Sequence, residues 1–271
     1  MDSFKIKTMT INKIIITSVF IVVTVATNAQ ELIQAGKYDD LMSAPKIAIA
    51  GGGTLMDWAN MNFYNESNEK LKKFTEPNLV VFMGNSITQG WSHFNASFFS
   101  ENPFVNRGIG GQTSPQMLVR FRSDVVNLNP MAVVIMAGTN DIAGNTGLIS
   151  IENTAENIFS MAEVAMANNI AVYICSTLPA IDFLWSPGLE PASKIVKLNK
   201  ILKSYCKENG LTYIDYYAAM VDADGGLKVP DFTAANDLVH PNMEGYKVME
   251  KIILASLKKY FKIGHNQNEK I

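Results

Sequence analysis

From residue 79 onward, short apolar runs alternate with longer segments in which apolar residues recur at helical spacing. The short runs predict five strands: Leu79 to Met83, Pro103 to Asn106, Met131 to Ala137, Ala171 to Ser176 and Leu211 to Ile214. The longer segments predict helices: Pro115 to Asn127, Ile151 to Asn168, Ser193 to Glu208 and Asn242 to Phe261. Strands that alternate with helices predict an α/β fold, in which a parallel sheet is covered by helices on both faces.

The first 29 residues have a different pattern. Three lysines are followed by the uncharged apolar run Ile14 to Ala26 and by the small residues Thr27-Asn28-Ala29. This order is typical of a secretory signal peptide, with cleavage after Ala29. A membrane anchor is the alternative, but the apolar run is shorter than the roughly 20 residues that a spanning helix needs. We therefore expect a secreted or periplasmic protein without stable membrane insertion. Because no Cys lies near the cleavage site, we do not expect a lipid on the N-terminus.

Residues 30–78 are less regular than the rest. Lys46 to Ala50 is a possible strand, Gly51 to Gly53 a flexible break, and Asp57 to Lys73 a candidate helix. Because no low-complexity linker follows, we predict an N-terminal extension that packs on one main domain of residues 79–271, which ends in a polar tail at 264–271.

Composition excludes disordered and fibrous proteins. Of the 271 residues, 48% are apolar and 18% are charged, which is the balance of a globular protein with a sizeable core. The net charge is −2 and the charged residues are scattered along the chain, so we expect no nucleic-acid partner. Cys175 lies on a predicted strand and Cys206 on a predicted helix. Export permits a disulfide between them, but two such Cys are more often independent apolar residues.

In open parallel sheets, reactive groups gather beyond the carboxyl ends of the strands. Four segments directly follow strands here: Gly84-Asn85-Ser86, Arg107 to Thr113, Gly138-Thr139-Asn140-Asp141 and Thr177 to Ala180. With the late segment from Asp237 to His240, they would line one edge of the sheet.

A Ser/His/Asp set is the chemistry that these segments suggest. The Ser86 hydroxyl needs a neighbouring base to act as a nucleophile, and the base needs a group that orients it. His240 is the best placed of the three histidines, since His265 lies in the polar tail and His93 on the first helix. Asp237 precedes it by three residues, and Pro241 is expected to open a helix. Alternatively, Asp237 only caps a turn and His240 lies at the surface.

An oxyanion hole is also available. Its expected donors are the backbone N–H groups of Ser86 and Gly111 and the side-chain amide of Asn140. Alternatively, the glycines around Gly111 only form a turn, and Asn140 with Asp141 forms an Asx turn. The order of the segments along the chain favours the catalytic interpretation.

Four segments in order resemble the blocks of the SGNH/GDSL hydrolase family: Gly84 to Thr88, Asn106 to Thr113, Gly138 to Asp141 and Asp237 to Asn242. The second is similar to the branch of platelet-activating-factor acetylhydrolases and carbohydrate acetylesterases. The resemblance implies a flavodoxin-like three-layer fold, with a five-stranded parallel sheet in the order 2-1-3-4-5. It also implies Ser86 as nucleophile, Gly111 and Asn140 as oxyanion donors, His240 as base and Asp237 as its partner. Asn85 stands where the family has Asp.

Motifs for other chemistry are incomplete. The glycines at 108–111 lack the last Gly of a dinucleotide fingerprint, no Gly-Lys-Ser/Thr follows a Gly-rich loop, and no His-Glu-x-x-His is present. We therefore expect a carboxylic ester hydrolase without metal or cofactor.

The substrate is less clear from sequence. Aromatic residues near the loops suit a small acyl group on a bulky alcohol: Trp91, Phe94, Phe98, Phe99, Phe183 and Trp185. Asn85, Gln112, Phe183 and Trp185 are the candidate substrate-binding residues. We expect a secreted esterase that removes acetyl groups from carbohydrate or a small molecule. The alternatives are a lysophospholipase or thioesterase for longer chains and a non-catalytic carbohydrate-binding protein. The oligomeric state stays open.

Overall fold

The computed structural model describes residue 52 and residues 57–73 and 76–265, with side chains as far as residue 258. By contacts, every described residue belongs to one compact unit. The predicted signal peptide, the possible strand at 46–50 and the last residues of the polar tail lie outside the described residues.

The five predicted strands are present and form one sheet. They are β1 (Val80–Gly84), β2 (Phe104–Gly108), β3 (Ala132–Met136), β4 (Ala171–Cys175) and β5 (Thr212–Ile214). All pairs are parallel and the order is β2-β1-β3-β4-β5, as the resemblance implied. In this register Gly84 is the partner of both Gly108 and Met136. The segments that follow β1, β2 and β3 therefore begin side by side.

Helices connect the strands and cover the sheet. They are α1 (Asn65–Leu71), α2 (Ser86–Phe94), α3 (Ala96–Ser100), α4 (Ser114–Asp124), α5 (Thr139–Ile142), α6 (Ile151–Ala167), α7 (Pro191–Glu208), α8 (Tyr216–Met220) and α9 (Met243–His265). A 3₁₀ turn at Val126–Leu128 follows α4. None of the described helices combines the length and the apolar character that crossing a membrane requires.

Several helix boundaries differ from the sequence prediction, three of them informatively. The helix expected from Asp57 to Lys73 is only α1, because turns occupy residues 57–64 and Asn60 adopts a left-handed φ of 53°. The prediction that Pro241 opens the last helix was wrong. Helix α9 begins at Met243, and the Asn242 side chain caps its first turn by accepting from the Gly245 N–H at 3.0 Å. Helix α7 begins two residues early, at Pro191, whose fixed φ suits a first turn.

The core is built around the central strands. Every residue of β1 and β3 is buried, because helices cover both faces of the sheet. Four aromatic residues pack around Phe82 with ring centroids 5.2–5.8 Å away: Trp91, Phe98, Phe99 and Phe104. Trp91, Phe98 and Phe99 are at most 9% exposed, so these three aromatics belong to the core and not to a substrate site.

The two cysteines are buried and free. Burial raises the pKa of both thiols, that of Cys206 to about 11. Both therefore stay protonated near neutral pH and act as small apolar residues of the core.

Candidate active site

Ser86 lies where β1 turns into α2. The Asn85 side chain accepts from the Ile87 N–H at 3.0 Å and so caps the helix. Gly108 of the adjacent strand makes this turn possible, because a Cβ there would overlap the backbone N of Gln89 and the carbonyl of Asn85. Asn85 is only 2% exposed, so its side chain serves the cap and does not line a cleft.

His240 reaches Ser86 from the other end of the chain. Its Nε2 lies 2.8 Å from the Ser86 Oγ, although the two residues are 154 positions apart. Its Nδ1 lies 2.9 Å and 3.0 Å from the two carboxylate oxygens of Asp237. The three side chains thus form a continuous chain of hydrogen bonds along which a proton can move from hydroxyl to imidazole.

A tight turn places the Asp237 carboxylate on the imidazole. Asp237 Oδ1 accepts from the backbone N–H of His240 at 2.9 Å and of Val239 at 3.2 Å. Leu238 between them has a left-handed φ of 67°, an uncommon and strained conformation for such a side chain. The buried Thr233 donates its hydroxyl to the His240 carbonyl at 2.8 Å. These contacts hold a segment whose two candidate catalytic side chains are both about a third exposed, 36% for Asp237 and 34% for His240.

The predicted oxyanion donors follow the carboxyl ends of three adjacent strands, β1, β2 and β3. The Ser86 N–H belongs to the first turn of α2, where backbone N–H groups have no intrahelical acceptor. Gly111 has a φ of +77°, which a glycine adopts without strain. Asn140 is buried in α5, and its Nδ2 uses one hydrogen to donate to the Gln112 carbonyl at 2.9 Å. Its second amide hydrogen is not needed for that bond.

Gln112 turns inward and contributes to a buried polar network. It is 1% exposed; its Nε2 donates to the Ala59 carbonyl at 2.7 Å and its Oε1 accepts from the Arg120 Nε at 2.5 Å. The Gln112 side chain therefore ties the loop of residues 109–113 to the protein interior and does not face a substrate. Arg120 also donates to the carbonyls of Gly84 and Arg107, at 3.0 Å and 2.9 Å. One guanidinium thereby joins the ends of β1 and β2 to the loop that carries Gly111.

The charge of Arg120 is balanced inside the protein. Its Nη1 donates to Asp124 Oδ2 at 2.9 Å, and both side chains are at most 1% exposed. Burial lowers the pKa of Arg120, and the neighbouring Asp124 carboxylate opposes that shift. Arg107 lies over the Tyr64 ring at 4.5 Å, and burial lowers its pKa to about 10. At a pKa of about 10 the Arg107 guanidinium is charged at neutral pH.

Asp141 connects helix α5 to the start of helix α4. Its carboxylate accepts from the Ser114 backbone N–H at 2.9 Å and from the Ser114 hydroxyl at 2.5 Å. Burial raises the pKa of Asp141, and the hydrogen bonds from Ser114 oppose the shift. The start of α4 is thereby fixed to the residue that follows Asn140.

Trp185 brings an aromatic ring to the site. It is 46% exposed, and its ring centroid lies 6.4 Å from that of His240. Phe183 is fully buried and lies 5.1 Å behind the indole, so it supports Trp185 and does not face a substrate. The indole Nε1 donates to Asn145 Oδ1 at 3.1 Å. Of the four predicted substrate-binding residues, Trp185 alone has the exposure that contact with a substrate requires.

Two residues of the site were not found from the sequence. Arg120 lies one turn from both Gln116 and Asp124 on α4, and all three are buried. That spacing of polar residues on one helix stripe was the available signal. Asn145 follows the third block in a loop with two glycines, which gave no signal of its own. Within the described residues, no group of three or more His, Cys, Asp or Glu side chains is arranged to hold a metal ion.

Solved structures share this fold. The chain is 48% identical to a candidate acylhydrolase from Bacteroides fragilis, with a TM-score of 0.71 and coverage of 75% of this chain and 98% of the other. It is 44% identical to a GDSL-like lipase from Bacteroides thetaiotaomicron, with a TM-score of 0.70 and coverage of 74% and 98%. A mutant acetyl-xylooligosaccharide esterase from Geobacillus is 18% identical, with a TM-score of 0.55 and coverage of 68% and 95%, which shows a common fold.

A relative among curated proteins is an uncharacterized lipoprotein of Bacillus subtilis, 27% identical over 156 residues. The match takes in 51% of this chain and 64% of the relative, so the chain spans somewhat less than two thirds of that protein's length.

The model of the GDSL-like lipase/acylhydrolase family matches residues 82–248, which is more than half of the chain. This segment contains all four blocks singled out in the sequence, and with them the Ser86, His240 and Asp237 chain of hydrogen bonds. A non-catalytic carbohydrate-binding role is therefore set aside. The chain belongs to the GDSL-like lipase/acylhydrolase family, and it is a carboxylic ester hydrolase.

Proposed function

We propose that the protein is an exported serine esterase that removes acetyl groups from carbohydrate through an acyl-enzyme on Ser86. The observation that carries the mechanism is the chain of short contacts from the Ser86 hydroxyl through His240 to Asp237, at 2.8 Å and 2.9 Å. Export is supported by the signal-like pattern of residues 1–29 and by the lipoprotein relative.

In the proposed reaction the Ser86 Oγ attacks the ester carbonyl while His240 Nε2 takes its proton. Asp237 keeps the imidazole in the tautomer that accepts at Nε2 and stabilises the imidazolium that forms. The oxyanion accepts hydrogen bonds from the N–H groups of Ser86 and Gly111 and from Asn140 Nδ2. His240 returns the proton to the leaving alcohol, and a water molecule activated by the same imidazole then releases the acid and regenerates Ser86.

Carbohydrate is the proposed alcohol because of the exposed indole beside the base. The Trp185 ring presents nearly half of its surface to solvent and stands 6.4 Å from His240, so it can stack on a sugar ring whose acetyl group lies over Ser86. The Geobacillus protein of the same fold is an acetyl-xylooligosaccharide esterase, and an acetylated sugar is therefore the substrate to try first.

The proposed nucleophile is tested by Ser86→Ala in the purified mature protein, with 4-nitrophenyl acetate and acetylated xylan as substrates. We expect turnover of both to fall by several orders of magnitude, because the acyl-enzyme cannot form. Ser97→Ala is the matched control, since Ser97 is exposed on α3. Full activity in Ser86→Ala would refute the nucleophile.

A second candidate function is hydrolysis of longer acyl chains by a lysophospholipase or thioesterase. It is favoured by two exposed apolar residues in the loop of Trp185, Ile181 at 42% and Leu184 at 50%. A series of 4-nitrophenyl esters from acetate to decanoate separates the two. A small pocket predicts that kcat/KM falls steadily with chain length, whereas an apolar channel predicts a rise.

A further inference from the structure

The two glycines before Gln112 cannot orient an oxyanion donor by themselves. Gly110 and Gly111 have no side chains, and glycine backbone rotates more freely than that of any other residue. A donor must nevertheless be fixed before the reaction if it is to stabilise the transition state without a reorganisation cost. Contacts from outside the loop therefore have to fix the backbone on either side of the donor peptide.

The structure supplies such contacts on both sides of Gly111. The Gly110 N–H donates to Gln89 Oε1 at 2.8 Å, and the Gly111 carbonyl accepts from Asn145 Nδ2 at 3.1 Å. Gln89 lies on α2 with Ser86, so the first contact ties the loop to the nucleophile's own helix. Asn145 provides the second contact from a different loop, the one that follows α5.

Asn145 is itself connected to the other donor and to the base side of the cleft. Its backbone N–H donates to the Asn140 carbonyl at 3.0 Å, and its Oδ1 accepts from the Trp185 indole at 3.1 Å. The neighbouring Thr146 hydroxyl lies 3.0 Å from the Thr113 hydroxyl, which anchors the loop to the start of α4. The backbone N–H, the Oδ1 and the Nδ2 of Asn145 are thus each engaged by residues of the site.

We propose that Asn145 is a positioning residue of the esterase: by holding the Gly111 carbonyl it restrains the backbone on the far side of the Gly111 N–H donor, and it couples that backbone to Trp185 beside His240. The inference rests on the proposed function, in which Gly111 and Asn140 bind the oxyanion. It also gives Trp185 a second role. Because the indole N–H needs an acceptor, it turns the amide oxygen of Asn145 toward Trp185 and leaves the amide nitrogen facing the Gly111 carbonyl.

The test uses Asn145→Ala, Asn145→Asp and Trp185→Phe in the full mature chain, with 4-nitrophenyl acetate as substrate. Asp retains an acceptor for the indole but no donor for the Gly111 carbonyl, and Phe retains a ring but no N–H. Leu148→Ala is the matched control, since Leu148 lies in the same loop and is fully exposed. Active sites are counted with a fluorophosphonate that labels the reactive serine, so that kcat refers to folded enzyme only.

We expect Asn145→Ala to lower kcat per titrated site roughly tenfold with KM within about twofold of the wild type. This effect is smaller than the 10²–10³ expected for loss of an oxyanion donor itself. Asn145→Asp should be at least as impaired as Ala. Trp185→Phe should have a smaller effect, and combining it with Asn145→Ala should add little, because both break the same connection.

Three results would overturn the proposal: a wild-type kcat in Asn145→Ala, full rescue by Asn145→Asp, or additive effects of Asn145→Ala and Trp185→Phe. Because Asn145 is only partly buried on a surface loop, we expect these variants to fold, with thermal midpoints close to that of Leu148→Ala. Failure of the proposed function is distinct: the wild type itself would then hydrolyse no ester and would not react with the fluorophosphonate.

Discussion

The two sides of the proposed active site are built differently. The nucleophile side, residues 84–88, 107–113 and 138–141, is held by strand ends and by buried polar groups, and its Asn85, Gln112 and Asn140 side chains are at most 3% exposed. The base side, residues 231–242, is a loop whose Asp237 and His240 side chains are about a third exposed. The first side belongs to the folded core, whereas the second is held mainly by local hydrogen bonds.

This difference separates stability from activity. Substitutions under the nucleophile side leave buried polar groups without partners, which costs free energy of unfolding. Substitutions on the exposed face of the base side should lower activity and change the free energy of unfolding little. Besides the contact between Ser86 and His240, helix α9 after the base side is tied to the nucleophile helix, because the buried Tyr246 donates its hydroxyl to the Ile87 carbonyl at 2.8 Å.

The largest expected effect is on the base side. His240→Ala should lower kcat/KM for an acetate ester by on the order of 10⁴-fold or more, and Asp237→Ala by about 10²- to 10⁴-fold, because Asp237 orients the base and does not take the proton. Thermal midpoints of both should stay within a few degrees of the wild type. His93→Ala, at an exposed position on α2, is the control and should retain full activity. A strongly lowered midpoint in His240→Ala would contradict the comparison.

The next effect is on the nucleophile side. Arg120→Met should lower the free energy of unfolding by about 3–5 kcal/mol, because it leaves the Asp124 carboxylate buried without its partner. Urea unfolding of the variant measures this. Arg122→Met is the matched control, since Arg122 lies on the same helix but is exposed, and it should change stability by less than about 0.5 kcal/mol.

A second variant distinguishes the missing charge partner from lost packing. In Arg120→Met with Asp124→Leu, no buried charge remains at this pair, so part of the stability should return. If the double variant is less stable than Arg120→Met alone, the cost lies in the hydrogen bonds to the strand ends and not in the orphaned carboxylate.

Asp141→Asn should change how stability depends on pH. Because burial raises the pKa of Asp141 in the folded state, this group favours folding most at low pH, below its ordinary pKa of about 3.9. That contribution is lost as the pH rises through the raised folded-state pKa. The wild type should therefore gain stability relative to Asp141→Asn as the pH falls through this window. Urea unfolding across the acidic range checks the sign, and a constant difference would contradict it.

The smallest expected effect concerns the segment before β1. The Tyr64 hydroxyl donates to the Gly108 carbonyl, beside the turn that carries Ser86. Tyr64→Phe should cost about 1 kcal/mol of stability through the loss of that hydrogen bond, with kcat changed less than in Asn145→Ala. Phe63→Ala is the control, because Phe63 is adjacent and 47% exposed. An unchanged free energy of unfolding in Tyr64→Phe would show that the contact contributes nothing.

Much of the fold could be predicted from the sequence because its signals are local. Each strand was recognised from four to seven consecutive residues, and every strand boundary lies within two residues of the prediction. Short helices were missed: α3 and α8 have five residues each, too few for a helical period to be recognised. The helix expected at residues 57–73 was overestimated because asparagine-rich turns are hard to distinguish from helix by spacing.

Candidate side chains were predicted less well than strands. Gln112 and Phe183 are near the site but are buried and turned away from it, and Asn85 caps a helix. Nothing local distinguishes an inward from an outward side chain in an irregular loop. Trp185 is 46% exposed, whereas Phe183, two residues earlier, is fully buried 5.1 Å behind it.

The sequence by itself determined the alternation of strands and helices, the order of the four family blocks and the three-residue spacing of Asp237 and His240. These features depend on short stretches of chain. The tertiary structure alone decided that Ser86 and His240, 154 residues apart, meet at 2.8 Å, that Arg120 joins two strand ends, and that Asn145 lies between Gly111 and Trp185. The reason is physical: such contacts depend on how parallel strands align, and that alignment is set by packing of the whole core.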